Sequence, residues 1–548
     1  MKLKIKVNDK SVEVEKGITL LELSKRFQGF YKYEIILAKV DGVYKELTST
    51  VHRECDIEFF DLTDSYANCV FLNSLIYLTL YSFKRTFGEK TNIIVRHSLD
   101  KGVYIETSIN IEKADIKKLE KTMKDVVEEK LSIKRITTPR LDAIEYFNHT
   151  NYKTKAEIMN YNSASFVTLY KLDEMFDYFY TMMVPNTEFL SHFELTYLNE
   201  TGFVLRFPTV YMNDGIKPFE ERKNILNLYN SSREWAKRLD LVSVVDLNNK
   251  VQNGSIEDII RMDELMKNHQ LMVLAQNIID NPKVKVVLLA GPSSTGKTTT
   301  TNKLKLCLKS LGKNPLMLSM DDFFVERGET PLDEEGKPDF ERLEAVDLNL
   351  FEECIERLLN KEEVKLPTFN FILGKKEYDK TTKIEDDTII LIEGIHALNP
   401  KVLENIPKNR KLKVYLSALN ELGIDDHSRI STTNNRLLRR IVRDNRTRGN
   451  SVEKTLELWH KVRIGEEKYI FPYQDEADYT LNTAMIYELG VLKTYVEPLL
   501  YSVSPDSPYY NEAIILINFL RLFLPIPADK IPDDSIIREF IGGGCFRV

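Results

Sequence analysis

Gly291-Pro292-Ser293-Ser294-Thr295-Gly296-Lys297-Thr298 fits the phosphate-binding loop pattern G-x-x-x-x-G-K-[ST], and its flanks fit as well. Before it, Val284 to Ala290 is a short apolar, β-branched run bounded by Pro282 and Gly291, which predicts a buried parallel strand. After it, Thr299 to Leu311 places Leu304, Leu308 and Leu311 on one helical face, and Gly312 stops the helix. Strand, loop and helix make an anion site in which backbone N–H groups and the positive end of the helix dipole converge on nucleotide phosphates. In this reading the residues from Gly291 through Thr299 hold the nucleotide. Lys297 reaches its β- and γ-phosphates, and the Thr298 hydroxyl is a Mg²⁺ ligand.

The 548 residues are too many for one core, so two to four domains are expected. An apolar fraction of 43% with 29% charged residues is that of an ordinary globular protein. A net charge of −7 argues against a general polyanion binder while leaving room for a local basic site. The five cysteines are widely spaced and include no C-x-x-C, so neither a zinc site nor a disulfide framework is expected, and they fit a reducing cytosol. The start, M-K-L-K-I-K-V, alternates like a strand and not like a signal peptide. The longest apolar region, Ala513 to Pro527, is interrupted by Asn518 and Arg521 and is too short to span a bilayer. A soluble, cytoplasmic protein without a membrane partner is the expectation.

Residues 1–63 read as a small self-contained unit. Leu3, Ile5 and Val7 alternate with lysines, Val12 and Val14 repeat the pattern, and Gly17 turns the chain. Thr19 caps a helix through Phe27, with Glu22 at the capping-box position. Two strands follow, joined by Asp41-Gly42, and Asp56 to Leu62 adds another. This order is that of a β-grasp. With V-E-K-G-I-T-L-L-E-L and I-I-L-A-K-V-D-G it resembles the TGS domain of threonyl-tRNA synthetases and stringent-response GTPases. That resemblance implies RNA or partner recognition, although an inert solvated face fits the balanced charge equally well.

Residues 64–246 mix helices and strands as an α+β domain. Met123, Val126, Val127 and Leu131 follow a helical period, and Phe193–Leu198 and Phe203–Pro208 read as paired strands. Its place after a TGS-like unit resembles the second additional domain of threonyl- and alanyl-tRNA synthetases, which edits mischarged tRNA. That family uses an H-x-x-x-H helix with a later Cys and His. Here the pair falls at Asn73 and Tyr77, and no cysteine lies between Cys69 and Cys307. No hydrolytic chemistry is expected, and His97, His149 and His192 are isolated, as core or surface histidines are. Leu247 to Pro282 reads as a polar turn and an adaptor helix, and from Val284 onward strands alternate with helices as a parallel sheet requires. Ser535 to Phe540 reads as a helix, with Gly542-Gly543-Gly544 as a flexible end.

Two later strand ends carry the chemistry. Pro315 to Met320 is followed by Asp321-Asp322-Phe323-Phe324, and Thr388 to Ile392 by Glu393-Gly394. Carboxylates there sit on the face where open α/β sheets bind ligands. Asp321 is placed to orient an acceptor hydroxyl, take its proton and approach the metal. Glu393 takes the Walker B place and holds Mg²⁺. His396, nearby, reads as a packed or capping histidine. Farther on, Arg436, Arg440 and Arg443 fall on one helical face at i, i+4 and i+7, so an anion should sit against them. Guanidinium groups there neutralise charge on a transferring phosphoryl group, and Gly449 lets a lid close.

Together the glycine loop, S-M-D-D-F-F, D-F-E-R-L-E-A-V-D, I-E-G-I-H and R-R-I-V-R-D-x-x-x-R-G resemble the uridine kinase and phosphoribulokinase family, over about 283–500. The order of domains resembles the multidomain bacterial nucleoside kinases. The resemblance implies that Asp321 is the catalytic acid, that Thr298 and Glu393 are magnesium positions, and that Arg443 and Arg448 are lid arginines. It also implies that Glu341 holds the ribose hydroxyls with Arg440 as partner. Where uridine kinases carry a Tyr-x-Phe-x-x-His stretch against the pyrimidine, this chain has Phe369, Phe371 and Gly374. The lid's base-side arginine and glutamine appear as Asn450 and Leu458. A site without those hydrogen bonds discriminates bases weakly, so Phe369 and Phe371 either stack any base or belong to the core.

The expected architecture is thus a β-grasp unit, an α+β middle domain and, within 247–548, an adaptor helix, a P-loop α/β kinase domain with a parallel sheet, and C-terminal helices. The expected reaction is Mg²⁺-dependent transfer of the ATP γ-phosphate to the 5′-hydroxyl of a nucleoside, with uridine or cytidine favoured by resemblance. The rivals are another sugar or polyol acceptor, as in phosphoribulokinases, and an RNA-binding regulator that uses nucleotide as a switch. Oligomeric state is not readable from the sequence.

Overall fold

The computed structural model describes residues 2–210, 215–333, 335–371 and 373–546. At the N-terminus, the alternating lysines and aliphatics make β1 (Lys2–Val7) and β2 (Lys10–Glu15), with Leu3, Ile5 and Val7 turned inward. Thr19 completes its capping box: its hydroxyl accepts from the Glu22 amide and the Glu22 carboxylate from the Thr19 amide, both at 3.1 Å. Helix α1 (Leu20–Ser24) ends three residues earlier than expected. The Gln28 side chain instead draws the chain into a turn, donating to the Tyr33 carbonyl and accepting from the Ile35 amide. β3 (Leu37–Val40) and β4 (Val43–Glu46) join through Asp41 (φ 49°) and Gly42 (φ 78°), the left-handed pair that a tight hairpin needs. With β5 (Asp56–Phe60) they form a mixed sheet in the order β2-β1-β5-β3-β4, β1 and β5 being parallel.

Asp64 caps the long helix α2 (Ser65–Phe87), accepting from the Tyr66 and Ala67 amides. β6 (Ile93–Leu99), β7 (Gly102–Thr107) and α3 (Lys113–Glu128) follow. Next come β8 (Ile133–Pro139), α4 (Arg140–His149), α5 (Lys153–Ile158), β9 (Phe166–Leu172) and β10 (Met175–Asp177). The hairpin of β11 (Glu194–Asn199) and β12 (Gly202–Arg206) closes this part as expected. Two antiparallel sheets result, β10-β9-β8 and β11-β12-β7-β6. α2 and α3 bury Phe71, Leu75, Met123 and Val126 in one cluster with Val103, Ile105 and Phe203 of the second sheet. On α2, Asn73 returns its amide to the Cys69 carbonyl, and Tyr77 donates to main-chain carbonyls of Tyr170 and Met175. Both side chains are spent on structure.

α6 (Lys223–Arg238) leads to a correction. The letters read as a polar turn from Leu247 are instead α7 (Val244–Gln252), started by a capping box between Ser243 and Asp246. Asn248 is buried there because it donates to the Leu522 carbonyl and accepts from the Leu524 amide. α8 (Ile256–Asp280) then reaches the parallel sheet.

That sheet is built from β13 (Val286–Ala290), β14 (Asn314–Ser319), β17 (Thr388–Glu393), β18 (Lys411–Ser417) and β19 (Tyr479–Asn482), all parallel, in the order β14-β17-β13-β18-β19. α9 (Lys297–Ser310) and α8 cover the face bearing Val287, Leu289 and Leu391. α10 (Leu348–Leu359) covers the face bearing Val286, Leu288 and Ile390. Burial on both faces is why these strands read as unbroken apolar runs. The hairpin β15 (Val364–Asn370) and β16 (Lys375–Thr382) projects from this core. α11 (Thr432–Arg448), α12 (Val452–Tyr469), α13 (Glu488–Tyr501), α14 (Tyr510–Leu520) and α15 (Arg538–Ile541) complete the chain. The glycines read as a loose end are tied back, with the Gly542 carbonyl accepting from Arg538 and the Cys545 amide donating to Asp533. No described helix is long and apolar enough to cross a membrane.

The middle region and the sheet meet across a fully buried polar knot. Lys155 is ion-paired with Asp177, His427 Nδ1 lies 2.7 Å from the same carboxylate, and Asp425 is 3.8 Å from Lys155.

Candidate active site

The cradle begins where β13 runs out. Gly291 has no room for a side chain: a Cβ there would lie 2.5 Å from the Leu416 carbonyl oxygen. Ser294 (φ 62°) and Gly296 (φ 79°) are left-handed, which curls the loop amides toward one point at the start of α9. Thr295 fixes the curl by donating to the Pro292 carbonyl at 2.8 Å, and Lys297 Nζ donates to the same carbonyl at 3.3 Å.

Ser319 and Glu393 end adjacent strands in register. The Ser319 hydroxyl donates to Glu393 at 2.9 Å and accepts from the Asp321 amide at 3.3 Å, which sets both carboxylates beside the cradle. Burial pushes the Glu393 carboxyl up to about 7, against the pull of Lys297. Enclosure by the cleft walls also raises Asp321, opposed by Lys297, Arg448 and Arg443, although its side chain faces solvent at the cleft floor. Burial, then the neighbouring Glu466, lifts Glu341 to about 7, with Arg440 and Lys297 opposing.

One cleft of about 1830 Å³ gathers most of the expected residues: Ser293, Ser294, Gly296, Lys297, Thr298, Asp321, Glu341, Phe371, Glu393, Arg440, Arg443 and Arg448 all line it. Gly291, Pro292, Thr295 and Thr299 lie behind the loop surface. Phe369 is buried beneath the cleft wall, edge-on to Phe324 and Phe371 at 5.8 and 5.1 Å. Phe369 is therefore core, whereas Phe371 is more than half exposed and lines the cleft. His396 is buried outside the lining and packs edge-on to Tyr469.

The arginine helix divides its charges. Arg436 is buried against Glu466 and donates to the Ser293 carbonyl at 2.9 Å. Arg439 is buried against Glu488 and donates to the Ser294 carbonyl at 3.3 Å. Arg440, Arg443 and Arg448 surround Asp444 at 3.2, 2.9 and 3.5 Å and face the cleft. The anion expected against Arg436, Arg440 and Arg443 is thus supplied in part by the protein's own carboxylates. At the position where a base-reading histidine was sought, Gly374 has φ 68°, and an added Cβ would lie 2.8 Å from Arg327 Cβ. Backbone and packing both require glycine there.

Three carboxylates of this site were not read from the sequence. Asp444 is one. Glu466 accepts from the Ser293 amide at 3.3 Å, and its helix comes that close because Gly465 lies against Glu341, where a Cβ would be 2.5 Å from Glu341 Cβ. A glycine inside a helical pattern was the available signal. Glu539 of α15 accepts from the Thr299 amide at 3.2 Å, at the head of α9, and lines the cleft. The opposite wall is also new: Asp100, Lys101, Lys217, Pro218 and Arg222 of the middle region face the cradle.

Residues 286–486 match the model of the family described as "Phosphoribulokinase / Uridine kinase family". A uridine kinase of Borrelia duttonii is 28% identical over 221 residues, which are 39% of this chain and 97% of that one. A threonine–tRNA ligase of Clostridium kluyveri is 23% identical over 254 residues, 43% of this chain and 39% of the ligase. A solved putative fructose transport system kinase from Silicibacter sp. TM1040 is 19% identical, with a TM-score of 0.30, and covers 38% of this chain and 98% of its own. The protein is a P-loop kinase, a phosphotransferase that acts on an alcohol group. The family match lies on the parallel-sheet region.

Proposed function

We propose that this protein transfers the γ-phosphate of ATP to the 5′-hydroxyl of a nucleoside. The observation that carries the reading is the meeting of Lys297 and Asp321 in one cleft with Arg443 and Arg448 above them. The loop amides and Lys297 hold the triphosphate. Asp321 orients the acceptor hydroxyl and receives its proton, its raised carboxyl matching that role. Arg443 and Arg448 neutralise charge on the transferring group. Glu341 and Arg440 hold the sugar hydroxyls, and Phe371 packs on the base.

The donor set Thr298, Asp321 and Glu393 offers hydroxyl and carboxylate oxygens, which fit Mg²⁺. When bound, the ion supplies charge neutralisation at the phosphates. Uridine and cytidine are favoured through the likeness to uridine kinases. Gly374 speaks for a loose base requirement and keeps a sugar or polyol acceptor as the rival. Incubation with Mg-ATP and a panel of nucleosides, sugars and polyols tests this. ADP release proportional to a nucleoside supports the reading, and release driven only by a sugar or polyol moves it to the rival.

The chain divides, in this reading, into 1–63, 64–246 and 247–548. The first is a β-grasp unit of TGS type, supported by the strand order with a parallel central pair. The second resembles a tRNA-synthetase editing domain without its chemistry. The likeness to a threonine–tRNA ligase supports an RNA partner for these two units. Turnover that depends on added tRNA would favour that regulatory role.

A further inference from the structure

A second cavity, of about 30 Å³, lies where three elements converge: β6 of the middle region, α6, and the loop that leads from β18 into α11. Among its lining residues are Arg96, His97, Arg233, Asn420, Glu421 and Arg429. Four polar atoms in this wall are closed off from solvent with no hydrogen-bond partner: His97 Nε2, Arg233 Nε, Asn420 Nδ2 and Glu421 Oε1. Buried polar atoms are nearly always paired, and four orphans around one small space call for a polar occupant.

The charges say which kind. Glu106 serves both Arg96 and Arg233, the latter at 2.7 Å, and Asp426 lies near enough to Arg96 to act on it. Lys237 is taken by Glu234 at 3.1 Å. Arg429 meets no carboxylate within 4 Å among the described residues and is the unmatched cation of the cavity. Burial pushes the Glu421 carboxyl up to about 8, which leaves it largely neutral and able to donate at neutral pH. Burial, with Arg429, Arg233 and Arg96 around it, pushes His97 down to about 3, and its ring stacks on Tyr229 at 3.7 Å. The space would hold roughly two waters or one small tetrahedral anion, since a water needs about 10–15 Å³. Converging guanidinium and amide donors favour the anion.

We propose that this cavity is a phosphate-binding site, distinct from the nucleotide cradle, in which Arg429, Arg233 and Asn420 hold one oxyanion. Its loop continues into the helix that carries Arg440, Arg443 and Arg448, so an occupant would brace the start of the arginine helix against the middle region. Binding itself does not depend on the kinase reading.

The test is equilibrium dialysis of the full chain against labelled inorganic phosphate at fixed ionic strength, with Mg²⁺ and a non-hydrolysable ATP analogue present to fill the cradle. One saturable phosphate per chain should remain. Arg429→Gln should weaken it at least tenfold, and Asn420→Ala three- to tenfold, the second variant serving if the first does not fold. Displacement by a nucleoside monophosphate would identify the phosphoryl end of a larger ligand, and resistance to it would identify free phosphate. Both outcomes uphold the site. Failure of the analogue to displace any phosphate would count against the nucleotide reading alone. The proposal is overturned if no saturable phosphate remains beside the analogue, or if both variants bind it undiminished, in which case the cavity holds water.

Discussion

Asp321 and Asp177 are the same side chain in opposite circumstances. Asp321 lies in the turn just past β14 at the floor of an open cleft, with Lys297, Arg443 and Arg448 near enough to act on it but no cation paired with it among the described residues. Asp177 is closed in on all sides, with Lys155 on one oxygen and His427 on the other. Burial alone would raise both, but Lys155 and His427 reverse it at Asp177 and hold that carboxyl down at about 2. A charge satisfied by its own protein is structure, whereas one left facing a cavity is available to a ligand. Conversion of either residue should reveal which kind it is.

The largest effect belongs to the open site. Asp321→Asn should lower kcat by about 10³-fold, within the range for loss of a positioned general base, while nucleotide affinity measured by calorimetry stays near wild type. Its unfolding midpoint should not fall. Asp177→Ala should do the reverse. Among the described residues it leaves the buried Lys155 with only the longer carboxylate contact, to Asp425 at 3.8 Å, so denaturant titration should register a loss of about 3–5 kcal/mol, with kcat of the remaining folded protein close to wild type. A loss of turnover in Asp177→Ala equal to that in Asp321→Asn would erase the distinction.

The pH dependence sharpens the comparison because the two kinds of carboxyl carry opposite signs. Glu393 keeps its proton to about pH 7 in the fold and releases it near 4.5 when unfolded. Between those values the folded chain binds more protons, so the stability of the nucleotide-free protein falls as pH rises, by at most about 3 kcal/mol. Glu393→Gln should flatten that decline, and Glu341, which titrates in the same window, should carry part of it. Asp177 contributes stability above its unfolded value of 3.8 and loses it as pH falls through about 2. Unfolding curves at several pH values, with each variant, read both slopes.

What the sequence made legible follows the same line. The cradle, Asp321 and Glu393 could be read because parallel strands buried on both faces are unbroken apolar runs, and the residues that end them all emerge at one edge of the sheet. The Thr19 capping box and the Asp41-Gly42 hairpin are local, and local rules found them. Glu466 and Glu539 escaped because their partners, Ser293 and Thr299, are distant in the chain and only packing brings them together. The arginine helix was half legible. Its spacing showed one charged face, but nothing in the letters told which guanidinium groups Glu466, Glu488 and Asp444 would claim. α7 was missed because its polar letters outweigh a capping box that starts before them, and because Asn248 earns its burial from carbonyl and amide partners near residue 523.

Glu539 offers the smallest and most discriminating test, since it stands between the two kinds. Its carboxylate is satisfied by the protein, yet the partner is the Thr299 amide at the head of α9, where a nucleotide phosphate would compete for the same donor. The segment that carries it is firmly held: Asp534 pairs with Lys303 at 2.7 Å, Arg446 donates to the Glu539 and Phe540 carbonyls, and Ile536 packs over Gly296. The side chain alone is therefore what a phosphate has to displace. A negative charge at a helix N-terminus contributes about 0.3–1 kcal/mol, and ATP binding must give that up when it takes the amide. Glu539→Gln keeps the shape and removes the charge, so ATP affinity should rise about two- to fivefold while the unbound protein loses a similar increment of stability. Unchanged affinity would place the carboxylate with Asp177, as structure that the ligand never meets.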